Sequence, residues 1–120
     1  MGDQISWHVE LAVKPGQLEN FRELTGEMVE STRAESGVLS YQRFVSDNGK
    51  FVYAYERYAN SAAAVAHLRT FGKHFSGRFL AMVDRMRFTV FGHPSDELRG
   101  LLDGLGATYL KPFDDFAYWA

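Results

Sequence analysis

Phe51-Val-Tyr-Ala-Tyr-Glu-Arg-Tyr58, then Ala59-Asn60-Ser61, then the run from Ala62 to Phe75, is the stretch that decides the fold of this chain. Its first eight residues are rich in aromatics, which suits a pleated, half-buried strand. Asn60 or Ser61 can accept from an otherwise unpaired backbone N–H and so open a helix. Ala62, Ala63 and Ala64 then favour helix strongly. Val65, Leu68, Gly72, Phe75, Phe79 and Met82 or Val83 sketch its core stripe, with a kink expected between Thr70 and Gly72. The strand has two demanding faces. Phe51, Tyr53, Tyr55 and Arg57 lie on one, and Val52, Ala54, Glu56 and Tyr58 on the other. Neither is the plain polar row of a sheet side left in water, so the strand is expected to be covered on both sides.

Working outward, Ile5, Trp7, Val9, Leu11 and Val13 alternate with Ser6, His8, Glu10 and Ala12, the pattern of a strand. Lys14-Pro15-Gly16 breaks it. Gln17 to about Glu35 has helical spacing, with Leu18, Phe21, Leu24 or Thr25, Met28 and Thr32 on one stripe. Gly37 is the expected left-handed stop. Val38 to Ser46 is a second strand, joined to Phe51–Tyr58 by the hairpin turn Asp47-Asn48-Gly49-Lys50. One bulge in Val38–Ser46 would exchange its faces, so its parity stays open. Arg85 to Gly92 is a fourth strand, Ser95 to Leu105 a short helix and Ala107 to Leu110 a brief edge strand. Lys111 to Ala120 is an aromatic tail with Phe113, Phe116, Tyr118 and Trp119.

The order βαββαβ, with a short hairpin and right-handed crossovers, predicts an α+β fold: a ferredoxin-like antiparallel sheet with two helices on one face, plus a C-terminal helix and tail. Residues 1–94 form that domain, and 95–120 an extension packed on it or on a partner. The helix side is expected to hold Ile5, Trp7, Val9, Leu11, Phe51, Tyr53, Tyr55, Met86, Phe88 and Val90. The other side is expected to show His8, Glu10, Arg43, Val45, Val52, Glu56, Tyr58, Arg87 and Phe91. Such a mixed apolar and charged face can pair with its own copy about a two-fold axis. The expectation is a homodimer through the sheet face, closing a dimeric α/β barrel.

Bulk properties narrow the function. A chain of 120 residues fits one domain with a real core. A net charge of −2 gives no electrostatic footprint for nucleic acid. The absence of cysteine removes disulfides, thiolate metal sites and a Cys nucleophile, and fits a reducing cytoplasm. No apolar run approaches a membrane span, and the first residues have no signal-peptide character.

Val13-Lys-Pro-Gly16 after a first strand, Ser31-Thr-Arg-Ala-Glu-Ser-Gly37 closing the first helix, Ser40-Tyr41, Tyr55-Glu56-Arg57-Tyr58, and Ser61 with His67 form an ordered set over residues 5 to 91. Taken together it resembles the antibiotic biosynthesis monooxygenase family. Ser36 stands where the family usually has proline, and Tyr58 where tryptophan is common. The resemblance implies a dimeric α/β barrel that oxygenates a small electron-rich aromatic, quinol- or polyketide-like, with O2 and with no metal, flavin or haem. The alternative is a non-catalytic dimeric barrel that binds a small hydrophobic ligand or acts in stress response.

His67, Phe71, His74 and Arg78 share one helical stripe. His67 matches the recurring family histidine and is the candidate base or donor. The plainer reading is a histidine that ties helix to sheet. Trp7, Tyr53, Tyr55, Phe71, His74 and Phe75 are the candidate substrate-binding residues; simple core filling competes for each aromatic. A spacing of seven between the histidines without a carboxylate on their stripe argues against metal. Glu10, Arg43, Glu56 and Arg87 are expected as an interface charge network on the open face. Arg33 and Glu35 are expected as a solvated helix end.

Overall fold

The computed structural model describes residues 2–117. The elements follow in the order β1 (Ile5–Val13), α1 (Leu18–Arg33), β2 (Val38–Val45), β3 (Phe51–Tyr58), α2 (Ser61–His74), α3 (Ser76–Met82), β4 (Val83–Phe91), α4 (Asp96–Asp103) and β5 (Thr108–Leu110). They build a five-stranded sheet of order β2-β3-β1-β4-β5. β1, β2, β3 and β4 pair antiparallel, and β5 adds parallel to β4. The sheet is therefore mixed, and within one chain it is open rather than closed into a barrel. The ferredoxin-like α+β expectation holds, including the edge strand in the extension.

Local chemistry explains the boundaries. The Asn60 side chain accepts from Ala63 N–H at 2.9 Å and opens α2. Ser95 does the same for Leu98 N–H at 3.2 Å and opens α4. Such caps contribute about 1 kcal/mol each. Gly37 follows α1 with φ +86, a left-handed value that costs glycine little. The break expected between Thr70 and Gly72 falls instead at Phe75, where α2 gives way to α3.

One core holds the elements together. Ile5, Trp7, Val9 and Leu11 of β1, Phe21, Leu24 and Met28 of α1, Val65 of α2, Phe79 of α3 and Phe88 and Val90 of β4 are buried in it. Leu98 and Leu102 of α4 are fully buried in the same cluster, so this helix packs on the body of the domain. Among the described residues, no helix is long and apolar enough to cross a membrane. Tyr118 and Trp119 of the aromatic tail lie outside the described residues.

Three face assignments differ from expectation. On β3 the buried residues are Val52, Ala54, Glu56 and Tyr58, while Tyr53 is exposed and Tyr55 half-buried on the opposite side. Pairing explains it. Ile5, Trp7, Val9 and Leu11 stand across from Tyr58, Glu56, Ala54 and Val52, so the buried face of β1 carries its partners on β3 to the helix side with it. On β2 a register shift between Val38 and Ser40 turns Tyr41, Arg43 and Val45 to the helix side. On β4 a shift opposite Glu10 and Leu11 ejects Met86, which is 60% exposed, and turns Arg85 inward. Glu10 and Arg87 do share the open face, at 3.6 Å. Arg43 and Glu56 do not.

Candidate functional site

Between α2 and the sheet lies a partly open cavity of about 50 Å³, walled by Trp7, Val9, Leu11 and Phe88 from β1 and β4 and by Leu68, Phe71 and Phe79 from the helices. Its polar end holds Tyr41, Arg43, Glu56 and His67. The volume is about a third of the 150 Å³ or so that a dry cavity needs to take up benzene. In this form it accommodates a diatomic gas or a few waters. An aromatic guest would have to push aside side chains of the wall.

Glu56 is the hub of the polar end. Trp7 Nε1–H donates to its Oε1 at 2.9 Å, the Tyr58 hydroxyl donates to the same oxygen at 2.5 Å, and Arg43 Nη2 reaches Oε2 at 2.7 Å. Buried carboxylates persist only when paired and hydrogen-bonded, and this one is both. Burial alone would raise its pKa. Arg43, then His67, and the donated hydrogen bonds outweigh burial and hold it below the ordinary carboxylate value. Arg43 also lies over the Tyr41 ring, with Cζ 3.5 Å from the centroid. Burial would lower the Arg43 pKa, but Glu56 and Tyr41 keep the guanidinium charged.

His67 is buried in the second turn of α2. Its Nδ1 faces Glu35 Oε1 at 3.1 Å and Oε2 at 3.3 Å. Its Nε2 faces Glu56 Oε1 at 3.6 Å, too far for a hydrogen bond, and the residue lines the cavity. Tyr41 and Tyr58 flank the ring, with centroids at 5.3 and 5.4 Å. Neither phenol is a base near neutral pH. Burial pushes Tyr41 up to about 12, against the pull of Arg43. Burial and then the Glu56 charge push Tyr58 well above its ordinary value of 10. Both act as donors or walls.

The local fold places the Glu35 carboxylate. After α1, the chain turns at Gly37, whose missing Cβ would sit 2.7 Å from Ala63 Cβ in the first turn of α2. Ala59 N–H donates to Gly37 O at 2.8 Å. This close approach of backbone to helix puts Glu35 under His67. Glu35 is thus a partner of the buried histidine rather than a solvated helix end.

Of the residues expected to form the site, His67, Trp7 and Phe71 line the cavity. Tyr53 and Tyr55 lie on the far side of the sheet, where Tyr55 packs edge-on against His8 with centroids 4.9 Å apart. His74 is exposed in the last turn of α2, and Phe75 is half-buried at the α2–α3 break beneath Arg78. Tyr41, Arg43, Glu56 and Tyr58 were missed as a cluster. One signal was available: a carboxylate two residues from a tyrosine, opposite a tryptophan, is a ready acceptor for both. Among the described residues, no group of three or more His, Asp or Glu side chains is placed to hold a metal ion.

A ferredoxin-like sheet with a buried His–carboxylate cluster under its helices defines an α+β protein. The sequence profile of the antibiotic biosynthesis monooxygenases matches residues 5–84, and the chain belongs to that family. No curated protein matches its sequence. The fold is similar to that of MupZ from Pseudomonas fluorescens, with TM-score 0.85 and 21% identity, over 97% of this chain and 95% of that one. It is also similar to a Bacteroides thetaiotaomicron protein provisionally assigned as an antibiotic biosynthesis monooxygenase, with TM-score 0.65 and 26% identity, over 72% of this chain and 85% of that one. SnoaB from Streptomyces nogalater, a cofactor-independent oxygenase, aligns with TM-score 0.66 and 12% identity over 78% of this chain and 95% of its own. The MupZ likeness takes in the C-terminal extension as well as the shared domain.

Proposed function

We propose that this protein is a cofactor-independent monooxygenase of a small electron-rich phenol or quinol, with His67 as the base. Family membership supports a monooxygenase-like role. The observation that carries the reading is His67: buried, anchored through Nδ1 on Glu35, and lining a mostly apolar cavity with its Nε2 making no hydrogen bond among the described residues. A base must be held in one tautomer within reach of the proton it takes.

Oxygen chemistry is usually delegated to a cofactor. Here the substrate does the reducing. His67 takes the phenolic proton, and the phenolate passes one electron to O2. The two radicals combine at a hydrogen-bearing ring carbon ortho or para to the oxygen, and loss of water leaves a quinone. A phenol and O2 thus give a quinone and water, with no outside reductant. The Tyr41 hydroxyl and the Arg43 guanidinium supply a donor and positive charge for developing oxyanions at the polar end of the cavity.

The same reading places two copies face to face through the open side of the sheet. Phe44, Tyr53 and Met86 are exposed there at 56%, 47% and 60%, beside the His8, Tyr55 and Phe91 rings. It also places the protein in the cytoplasm, consistent with its lack of cysteine. A second reading, a non-catalytic barrel binding a small hydrophobic ligand, draws support from the small cavity and the fully partnered Glu56.

Oxygen consumption with a panel of phenols, quinols and naphthols on metal-stripped protein separates the two. The oxygenase reading expects uptake with quinone formation, reduced by about 10²-fold or more in His67→Ala. Uptake unchanged in that variant removes His67 as the base. No uptake with any substrate, together with saturable ligand binding, leaves the binding protein.

A further inference from the structure

The cavity has a second charged end. Arg85 of β4 lines it, paired with Leu11 of β1, in a cavity that Phe79, Phe88 and Leu105 also line. Strand alternation alone would put Met86 on this side with Phe88 and Val90. The register shift between Glu10 and Leu11 reverses that and turns Arg85 inward. A bulge of this kind re-aims a side chain, and bulges are over-represented beside active sites.

Every other charge on the cavity has a partner. Arg43 has Glu56, and Glu35 holds His67. Arg85 is half-buried, and among the described residues it makes no hydrogen bond or ion pair. Burial lowers its pKa, with no compensating carboxylate. Its strand partner is the apolar Leu11, and Phe79, Phe88 and Leu105 line the same cavity. A partly desolvated guanidinium with no anion is free to take one, and its planar fork matches a carboxylate in bidentate fashion.

We propose that Arg85 is the anchor for a carboxylate on the ligand, which makes the substrate class a small hydroxyaromatic acid held by its carboxylate at Arg85 with its phenol toward His67. This rests on the cavity being the ligand site, as in the proposed function. The apolar wall between the two ends takes the ring. Entry requires the wall to yield, since the cavity is only about 50 Å³. That opening costs the same for any guest of the same shape, so it cancels when two isosteres are compared.

4-Hydroxybenzoate and 4-hydroxybenzamide are such a pair, alike in shape and different in charge. Affinity is read by calorimetry at pH 7, and location by the Trp7 indole N–H resonance. The expected result is that the acid binds at least about tenfold more tightly than the amide. That preference disappears in Arg85→Met and partly survives in Arg85→Lys, while the amide binds all three proteins alike. Equal affinities in the wild type, or a preference that survives Arg85→Met, overturn the proposal and leave the cavity intact as a ligand site. If neither compound moves the Trp7 resonance, the cavity is not the ligand site and both readings fall. Should Arg85→Met not fold, the wild-type ratio and its loss in high salt decide the matter.

Discussion

Trp7 on β1 and Glu56 on β3 stand directly opposite one another, and the Trp7 indole N–H donates to Glu56 Oε1 at 2.9 Å. This pair joins the apolar core to the charged end of the cavity. It places a carboxylate where a tight core would otherwise demand a hydrocarbon. The same carboxylate takes Tyr58 and Arg43, so four side chains from β1, β2 and β3 are fastened to one point.

The effects of removing the two members of the buried pair are therefore expected not to add. Arg43→Met or Glu56→Leu alone leaves a buried unpaired charge and is expected to cost about 3–5 kcal/mol. The double variant is expected to cost clearly less than the sum, because neither charge is stranded. Urea unfolding of the four proteins in the cycle measures the coupling. Strict additivity would show that Arg43 and Glu56 do not act as a pair.

Glu56 also makes stability depend on acid. Its folded pKa lies below its ordinary value of 4.5, so the unfolded chain binds more protons between those two values. Stability from this group is present above about pH 4.5 and is lost as pH falls through the folded pKa. Tyr58 acts at the other end. Its raised pKa contributes stability below pH 10 that is lost as pH rises further. In thermal melts between pH 7 and pH 3, Glu56→Gln is expected to show a shallower acid slope than wild type. Parallel slopes would place the acid sensitivity elsewhere.

Glu35 holds His67 rather than touching substrate, which makes it a positioning residue. Glu35→Gln is expected to lower kcat by at least about tenfold, within the range that a well-placed base contributes, while leaving KM nearly unchanged. Steady-state oxygen uptake on the best substrate of the panel separates the two constants. A rise in KM at constant kcat would instead make Glu35 part of the binding surface.

Gly37 carries the approach that sets Glu35 beneath His67. At φ +86, with Ala63 Cβ only 2.7 Å from where a Cβ would be, alanine meets both backbone strain and a clash. Gly37→Ala is expected to cost about 2 kcal/mol or more and to depress activity with Glu35 displaced. Differential scanning calorimetry reads the first effect. An unchanged melting temperature would mean that the turn relaxes freely.

The outer sheet face is expected to close a dimer. Phe44→Asp sets a charge among Tyr53, Tyr55 and the partner's matching residues, and sedimentation velocity at micromolar concentration is expected to move from two subunits to one. A wild-type monomer at that concentration would remove the barrel from the proposed function.

The elements were legible because their signals are local. Alternation in Ile5–Val13, the Asn48-Gly49 turn, the Asn60 and Ser95 caps and the Gly37 stop each depend on a few neighbouring residues. His67 was legible as well, through its place in an ordered set of family residues. The faces of β2, β3 and β4 were not. Shifts near Leu39 and Met86 exchange the sides of two strands, and a bulge depends on the partner strand as much as on its own.

Amino-acid order alone determined the strands, helices and turns of this protein, because hydrogen-bonding caps, φ preferences and apolar periods act over a few residues. Tertiary structure decided which side of each strand faces the helices, and so brought Arg43, Glu56, Tyr58 and Glu35 around His67 and turned Arg85 into the cavity. The physical reason is burial of charge. A carboxylate on a strand reads as an exposed group until folding supplies the arginine, tyrosine and tryptophan that make its burial tolerable.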